Sequence, residues 1–134
     1  MKRKIIMDCD PGHDDAIALI LAGAIDSPLE ILAVTTVAGN QSVDKNTTNA
    51  LNVLDIMGRQ DIAVAKGADR PLIKPAAFAS EIHGESGLDG PKLPSTPSRQ
   101  AVAMPASDVI INKVMTSDTP VTIVATGPLT NVAT

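Results

Sequence analysis

The sequence predicts an α/β protein, built on a Rossmann-like parallel sheet with helices on both faces. Short runs of apolar, β-branched residues alternate along the chain with segments whose apolar residues have helical spacing. The runs are continuously apolar, which is typical of strands that are buried on both faces. The composition agrees, since 44% of the 134 residues are hydrophobic and 19% are charged, as in a folded globular protein of roughly one domain.

The first half of the chain predicts two strand–helix units. Residues 4–7 form an apolar run that ends at a cluster of acids and a Pro-Gly pair, which indicates a buried strand entering a loop. Residues 14–25 are rich in helix formers with acids in the first turn, and they predict a mostly buried helix. Residues 31–37 are rich in β-branched side chains and predict a second strand. Residues 44–57 carry apolar side chains at helical spacing and stop at a glycine, so a second helix follows.

The second half is less regular. Residues 62–65 predict a short third strand. Five prolines and several glycines disrupt any period in residues 67–104, which indicates either a functional loop or a flexible excursion. Residues 108–115 and 121–125 then predict a helix and a strand, so the strand–helix alternation resumes.

Composition and charge exclude several classes of function. The net charge is −4 and Phe78 is the only aromatic residue, so the chain offers neither a basic face nor stacking platforms for nucleic acid. No apolar run approaches the roughly 18 residues that cross a bilayer, and the apolar stretch after the basic start is too short for an export signal. A single cysteine, Cys9, permits no internal disulfide. We therefore expect a soluble, cytoplasmic protein that binds neither nucleic acid nor membranes.

Four acids lie within eight residues at the end of the first predicted strand: Asp8, Asp10, Asp14 and Asp15. In an open α/β sheet, ligands bind at this end of the strands. Clustered carboxylates repel one another unless water, protons or a cation neutralise them, and a hard divalent ion is the simplest solution. The alternative is that two of the acids merely favour the helix N-terminus while the other two are solvated loop residues. Four acids around a Pro-Gly pair favour a site.

Four segments of the chain resemble, in order, the motifs of the inosine/uridine-type nucleoside hydrolases. The family match rests on order and spacing as well as on the acids, so it is much more specific than one motif. The segments are Asp-Cys-Asp-Pro-Gly-His-Asp-Asp-Ala at 8–16, Val-Ala-Gly-Asn-Gln at 37–41, His-Gly-Glu-Ser-Gly-Leu-Asp-Gly at 83–90, and Thr-Gly-Pro-Leu-Thr-Asn at 126–131.

The resemblance implies a calcium-dependent enzyme of nucleoside salvage. Such an enzyme cleaves the N-glycosidic bond of a ribonucleoside with water and releases ribose and the free base. The resemblance covers only the N-terminal part of the family's domain. We therefore expect residues 1–134 to be the N-terminal part of a single, truncated nucleoside hydrolase domain, whose C-terminal part, with a further calcium-binding aspartate and residues that contact the ribose and the departing base, is absent.

The resemblance also assigns roles at matching positions. Asp10 corresponds to the general base and a calcium ligand, while Asp15 and the backbone carbonyl of Thr126 correspond to further calcium ligands. Asp14 corresponds to the group that binds ribose hydroxyls. Asn40 corresponds to the polar residue beside the metal and the attacking water. Positive charge develops on the ribose as the bond breaks, so a cluster of carboxylates suits this chemistry.

Residues near these positions receive weaker assignments. By similarity, His83 lies near the nucleoside at the mouth of the site; from the residues alone it could equally be a surface histidine in a glycine-rich loop. His13 lies among carboxylates that favour its protonated form, and together with the His83 loop it indicates a preference for pyrimidine nucleosides. Asp8 supports the loop from behind and Cys9 packs at the strand end. Thr130 and Asn131 suit the start of a final helix, as ordinary caps.

Two other readings remain open at this point. A phosphohydrolase similar to the haloacid dehalogenases would use Asp8 as nucleophile and Asp10 as acid/base, but it leaves the paired acids 14–15 and the His83 loop without a role. A catalytically inactive fragment would retain calcium or ribose binding only. Because a parallel sheet without its later strands exposes an edge and apolar helix faces, we also expect poor solubility or self-association, and hence a homo-oligomer.

Overall fold

The computed structural model describes residues 1–134 and contains one parallel sheet and five helices. The strands are β1 (Arg3–Cys9), β2 (Leu29–Thr36), β3 (Val64–Lys66) and β4 (Thr122–Ala125). The helices are α1 (His13–Gly23), α2 (Val43–Ile56), α3 (Ser80–His83), α4 (Ala106–Thr116) and α5 (Thr130–Ala133). The predicted Rossmann-like α/β fold is confirmed.

The strand order is β3-β2-β1-β4, and every pair is parallel. The chain builds outward from β1 to β3 and then returns to place β4 on the other side of β1. This reversal creates a crevice at the carboxyl ends of β1 and β4, where ligands bind in open α/β sheets. Asp8 pairs there with Ala125 on one side and with Thr35 on the other.

Two apolar clusters lie on opposite faces of the sheet. The larger one joins β1 and β2 to α1 and α2, and it includes the fully buried Leu19 and Leu54. The smaller one packs Ala65 against Ala106 of α4. Val64 belongs to the larger cluster, and successive strand residues point to opposite faces. Helices therefore cover both faces, as predicted.

The irregular segment 67–104 is packed against the sheet and α2 in two places. The backbone N–H of Val102 donates to the Val64 carbonyl at 2.8 Å, so this residue covers part of the outer edge of β3. Leu88 is 5% exposed and belongs to the larger apolar cluster. The short helix α3 within this segment was not predicted from sequence.

Several element boundaries differ from the sequence prediction, among them those of β1, β3 and α4. β1 continues through Cys9, so Asp8 is a strand residue. β3 begins at Val64, because Ile62 packs into the core from the turn before the strand. α4 begins at Ala106, directly after Pro105 and two residues before the predicted start at residue 108.

The β4 side of the sheet is open. β4 pairs only with β1, and its residues are exposed or half-buried.

Two large apolar side chains of α1 are also exposed, Ile17 at 59% and Leu21 at 69%. None of the helices has both the length and the apolar character needed to span a membrane.

Candidate active site

Three of the four motif segments follow strands and meet at the carboxyl edge of the sheet. Residues 8–16 span the end of β1 and the start of α1, residues 37–41 follow β2, and residues 126–131 follow β4. Because β1 lies between β2 and β4, the loop after β1 is flanked by the other two. The fourth segment, residues 83–90, docks onto this group from outside the sheet.

Asp10 lies at the centre of the cluster. Its Oδ2 accepts a hydrogen bond of 2.8 Å from the backbone N–H of Asn40, and its own carbonyl accepts one of 2.9 Å from the Asn40 side-chain amide. Its backbone N–H donates to Oδ2 of Asp15 at 3.0 Å. Asp10 is 7% exposed, so both its backbone and its carboxylate are fixed.

Two glycines make room for the Asp10 carboxylate. A Cβ at Gly127 would lie 3.0 Å from Oδ1, and a Cβ at Gly39 would overlap Oδ2. Thr126, which precedes Gly127, is tied to the same strand end because its N–H donates to the Asp8 carbonyl at 2.9 Å. The motif glycines therefore form a cradle that a side chain would fill.

The electrostatics of this cradle favour a bound cation. Burial raises the pKa of Asp10 to about 6; the Asn40 backbone N–H opposes this rise, and the neighbouring carboxylate of Asp15 adds to it. The partial loss of solvent is the main cause of the raised pKa and the second carboxylate adds to it; a hard cation relieves both effects.

The donor set for such a cation is partial. The carboxylates of Asp10 and Asp15, with the carbonyl of Thr126, are oxygen donors of the kind that calcium prefers. No group of three or more His, Cys, Asp or Glu side chains is placed to hold a metal ion. Calcium takes roughly six to eight oxygens, more than these three groups offer. Asp14 is exposed, and its carboxylate accepts no hydrogen bond from the protein.

Asp8 lies behind the cluster and is fully buried. Its Oδ1 accepts hydrogen bonds from the Thr35 hydroxyl at 2.6 Å and from the Asn131 amide at 2.8 Å, while Oδ2 has no partner. Burial raises the pKa of this carboxyl, although both hydrogen bonds lower it. A carboxylate enclosed in this way cannot attack a phosphate, so the geometry contradicts the phosphohydrolase reading, in which Asp8 is the nucleophile.

The prediction that Thr130 or Asn131 caps the last helix is wrong. The residue at the cap position is Leu129, and no side chain caps the helix. The Asn131 side chain instead donates to Asp8 and to the Thr36 carbonyl, and its Oδ1 accepts from the Ala68 N–H at 2.8 Å. The amide atoms of Asn131 that could have capped the helix are instead hydrogen-bonded to residues distant in sequence.

His83 lies against the acidic loop. A Cβ at Gly12 would lie 2.5 Å from Nδ1 of His83, so the ring covers this glycine. Nδ1 of His83 is 3.2 Å from Nδ1 of His13, and Nε2 of His13 is 2.8 Å from the Asp89 carbonyl. His83 is half-buried, and His13 contacts no carboxylate.

The loop that carries His83 is closed by Asp89. Oδ2 of Asp89 accepts from the Glu85 N–H at 3.1 Å, and Oδ1 accepts from the Ser86 N–H at 3.0 Å. Hydrogen bonds from Ser86 and Glu85 lower the pKa of Asp89. Gly84 has a φ of +81°, and a Cβ there would overlap the Asp89 carboxylate, so this turn requires glycine.

Buried amides of α2 fix the surrounding loops. Asn49 donates to the carbonyls of Pro11 and Ser86, which joins the acidic loop to the His83 loop. Asn46 donates to the Val37 carbonyl at 2.8 Å, and Asn52 donates to a carbonyl in the 67–104 segment. The sequence analysis missed these residues. The available signal was their spacing of three, which places Asn46, Asn49 and Asn52 along one side of a helix.

Cys9 is buried at the last position of β1, and its Sγ is 3.7 Å from the Thr35 carbonyl. Burial, followed by the charges of Asp15, Asp8 and Asp10, raises the pKa of the thiol well above its ordinary value. The side chain is therefore a packed thiol and not a nucleophile.

Comparison with known proteins agrees with this geometry. The family model for inosine-uridine preferring nucleoside hydrolases matches residues 5–134. A pyrimidine-specific ribonucleoside hydrolase, RihA from Shewanella sp. (strain MR-4), is 56% identical over 133 residues, which are 99% of this chain and 41% of that protein. A plant nucleoside hydrolase structure superposes with a TM-score of 0.87 at 37% identity, covering 99% of this chain and 42% of that one.

A second solved structure broadens the comparison. The purine-preferring ribonucleoside hydrolase from Gardnerella vaginalis has a TM-score of 0.85 and 31% identity, covering 98% of this chain and 42% of that one. This chain thus spans about two fifths of the length of the relatives it matches. On its sequence, its sheet topology and the arrangement of its acidic loop, the chain belongs to the inosine-uridine preferring nucleoside hydrolase family.

Proposed function

We propose that this chain contributes the acidic half of a ribonucleoside hydrolase site. The reaction is hydrolysis of the N-glycosidic bond to ribose and free base, with a preference for pyrimidine nucleosides. The observation that carries the proposal is the placement of Asp10, which is held by Asn40 and paired with Asp15 where the ends of β1, β2 and β4 meet. The preference is supported by the 56% identity to a relative named as pyrimidine-specific.

Asp10 is the proposed general base. Asn40 donates to one carboxylate oxygen, and the two glycines leave space for the carboxylate beside the crevice. We place the attacking water there, within hydrogen-bond distance of Asp10. The nearby charges of Asp14 and Asp15 favour the positive charge that develops on the ribose as the bond breaks. Asp14, whose carboxylate is exposed and free of protein partners, binds ribose hydroxyls in this scheme.

Calcium is the proposed metal, with Asp10, Asp15 and the Thr126 carbonyl as ligands. When bound, calcium supplies a Lewis acid that makes water easier to deprotonate and a template that orients sugar hydroxyls. The hydrogen bonds of Asn40 hold Asp10 in position, and those of Asp8 and Asn131 hold the end of β1 next to Thr126. His83 contacts the nucleoside at the mouth, because its ring lies on Gly12 beside the acids.

A second candidate is a catalytically inactive chain that keeps calcium or ribose binding. Two observations favour it: the partial donor set at Asp10 and Asp15, and the open side of the sheet at β4. On this account the exposed residues Ile17 and Leu21 favour self-association.

The experiment is ribose release from uridine, cytidine and inosine by the purified chain, with calcium and with a chelator. We expect calcium-dependent release, fastest with the pyrimidine nucleosides. Asp10→Ala is expected to lower the rate by about 100-fold or more, as loss of a general base does. Asp26→Ala removes an exposed acid in the connection between α1 and β2, at the opposite end of β2 from the site, and serves as the matched control.

The possible results separate the two candidates. Asp10→Ala retaining most of the wild-type rate contradicts the assignment of Asp10 as base. Release that a chelator leaves unchanged contradicts the metal. Calcium-dependent stabilisation without ribose release from any of the three nucleosides favours the inactive chain.

A further inference from the structure

The two histidines of the chain contact each other where the acidic loop meets the His83 loop. The rings of His13 and His83 are nearly parallel, with centroids 5.5 Å apart and an interplanar angle of 21°. Their Nδ1 atoms are 3.2 Å apart, and Nε2 of His13 is 2.8 Å from the Asp89 carbonyl oxygen. Nε2 of His83 has no protein partner, since every hydrogen bond of this ring runs through Nδ1.

The partners of His13 determine where the protons lie. A carbonyl oxygen only accepts hydrogen bonds, so Nε2 of His13 carries the hydrogen in its contact with Asp89. A neutral His13 then has a lone pair at Nδ1. The 3.2 Å contact between the two Nδ1 atoms consequently takes its hydrogen from His83. Neutral His83 is therefore protonated at Nδ1 and carries its lone pair at Nε2.

Neighbouring residues hold His13 and His83 in this hydrogen-bonded arrangement. Gly12 lies under the His83 ring, with room for no side chain. The N–H of Asp89 donates to the His83 carbonyl at 3.1 Å, so the residue that accepts the His13 hydrogen bond also holds the His83 backbone. A flip of the His83 ring about its Cβ–Cγ bond would put a carbon in the place of Nδ1 and break the contact with His13.

We propose that His13 is a positioning residue that selects the Nδ1–H tautomer of His83 and thereby presents the free Nε2 as a hydrogen-bond acceptor. The group it accepts from is an O–H or N–H of a ribonucleoside. That last step alone rests on the proposed function. The selection of the tautomer is a property of this chain, with or without substrate.

The test is the tautomer of His83 in solution. The chain is labelled with 15N-histidine, and long-range 1H–15N correlation spectra are recorded at about pH 9, well above the ordinary histidine pKa of ~6.5. Only two rings contribute, so a spectrum of any His13 variant assigns both. We expect His13 as the Nε2–H tautomer and His83 as the Nδ1–H tautomer.

Two variants separate positioning from packing. His13→Leu removes the acceptor, and His83 is expected to change to the Nε2–H tautomer that a free histidine side chain prefers. His13→Asn places an amide oxygen near the former Nδ1 atom, so this variant is expected to restore the Nδ1–H tautomer of His83 although it loses the contact with Asp89. Glu81→Gln, an exposed change in α3, serves as the control and leaves the tautomer unchanged.

The proposal is overturned if wild-type His83 is the Nε2–H tautomer, or if His13→Leu leaves it in the Nδ1–H form. Backbone amide signals of Leu88 and Asp89 report whether the loop stays docked in each variant. Should the leucine variant lose the loop, the wild-type and His13→Asn spectra still decide. Because no nucleoside is present, this result is independent of whether the chain releases ribose.

Discussion

The two sides of β1 differ in how completely they are packed. Towards β2 and β3, the sheet is closed: Val34 and Leu54 are fully buried, and Val102 covers part of the outer edge of β3. Towards β4, the sheet is open, because β4 has no second partner and its residues are exposed or half-buried. The candidate site lies on the boundary between these sides.

This difference divides the site into two parts. Asp10 and Asn40 are held from the closed side, through strand pairing and the buried amides of α2. Thr126 and Gly127 come from the open side, where their link to β1 is the backbone of Asp8. The proposed base, Asp10, is therefore held by well-packed elements. The third proposed calcium ligand, Thr126, follows β4, which pairs with only one strand.

The largest expected effect is a contrast in core packing. Leu54→Ala, on the closed side, is expected to lower the free energy of unfolding by about 2–5 kcal/mol, because it leaves a cavity in a fully buried place. Leu21→Ala is expected to change it by less than about 0.5 kcal/mol, because that side chain is 69% exposed. Urea unfolding measures both. Equal losses would show that Leu21 is as tightly packed as Leu54, which contradicts the difference in their exposure.

A smaller effect tests the coupling between the two sides. Asn131→Ala removes the amide that joins α5 to Asp8, Thr36 and Ala68, and it leaves buried polar groups unpaired. We expect a loss of about 1–3 kcal/mol in the free energy of unfolding. Asn112→Ala, at an exposed position of α4, is the control. If the two variants unfold alike, Asn131 does not hold the sides together.

The smallest effect concerns pH on the closed side. The Ser98 hydroxyl donates to Asp55 at 2.6 Å, and this hydrogen bond is the main reason why the pKa of Asp55 lies below its ordinary 3.8; burial opposes it and Arg99 adds to it. A lowered folded-state pKa contributes stability that is present above the unfolded pKa and is lost as pH falls through the folded one.

Ser98→Ala is therefore expected to cost about 0.5–1 kcal/mol at pH 7 and progressively less as pH falls below the ordinary 3.8, where Asp55 becomes protonated first in the unfolded chain and then in the folded one. Urea midpoints across this pH range measure the difference, with the exposed Ser95→Ala as control. A cost that stays constant with pH would mean that the hydroxyl does not act through the charge of Asp55.

Sequence patterns predicted the elements that local physics determines. Continuous apolar runs located the strands, and the acids at the end of β1 located the candidate site, because strand ends and helix starts follow local rules. The start of β3 was predicted two residues too early, because Ile62 is apolar and buried although it lies in the turn before the strand. The roles of Asn131 and His83 depend on contacts across 95 and 70 residues, which no local pattern contains.

The most direct test of the account is thermal unfolding of the chain with calcium and with a chelator. A ligand that binds only the folded state stabilises it by mass action, by about 2.7 kcal/mol at one hundred times its dissociation constant. We expect calcium to raise the melting temperature of the wild type and of Asp26→Asn, and to have no effect on Asp15→Asn. A wild-type melting temperature that calcium leaves unchanged, or an equal rise in Asp15→Asn, would contradict a metal site at Asp10 and Asp15.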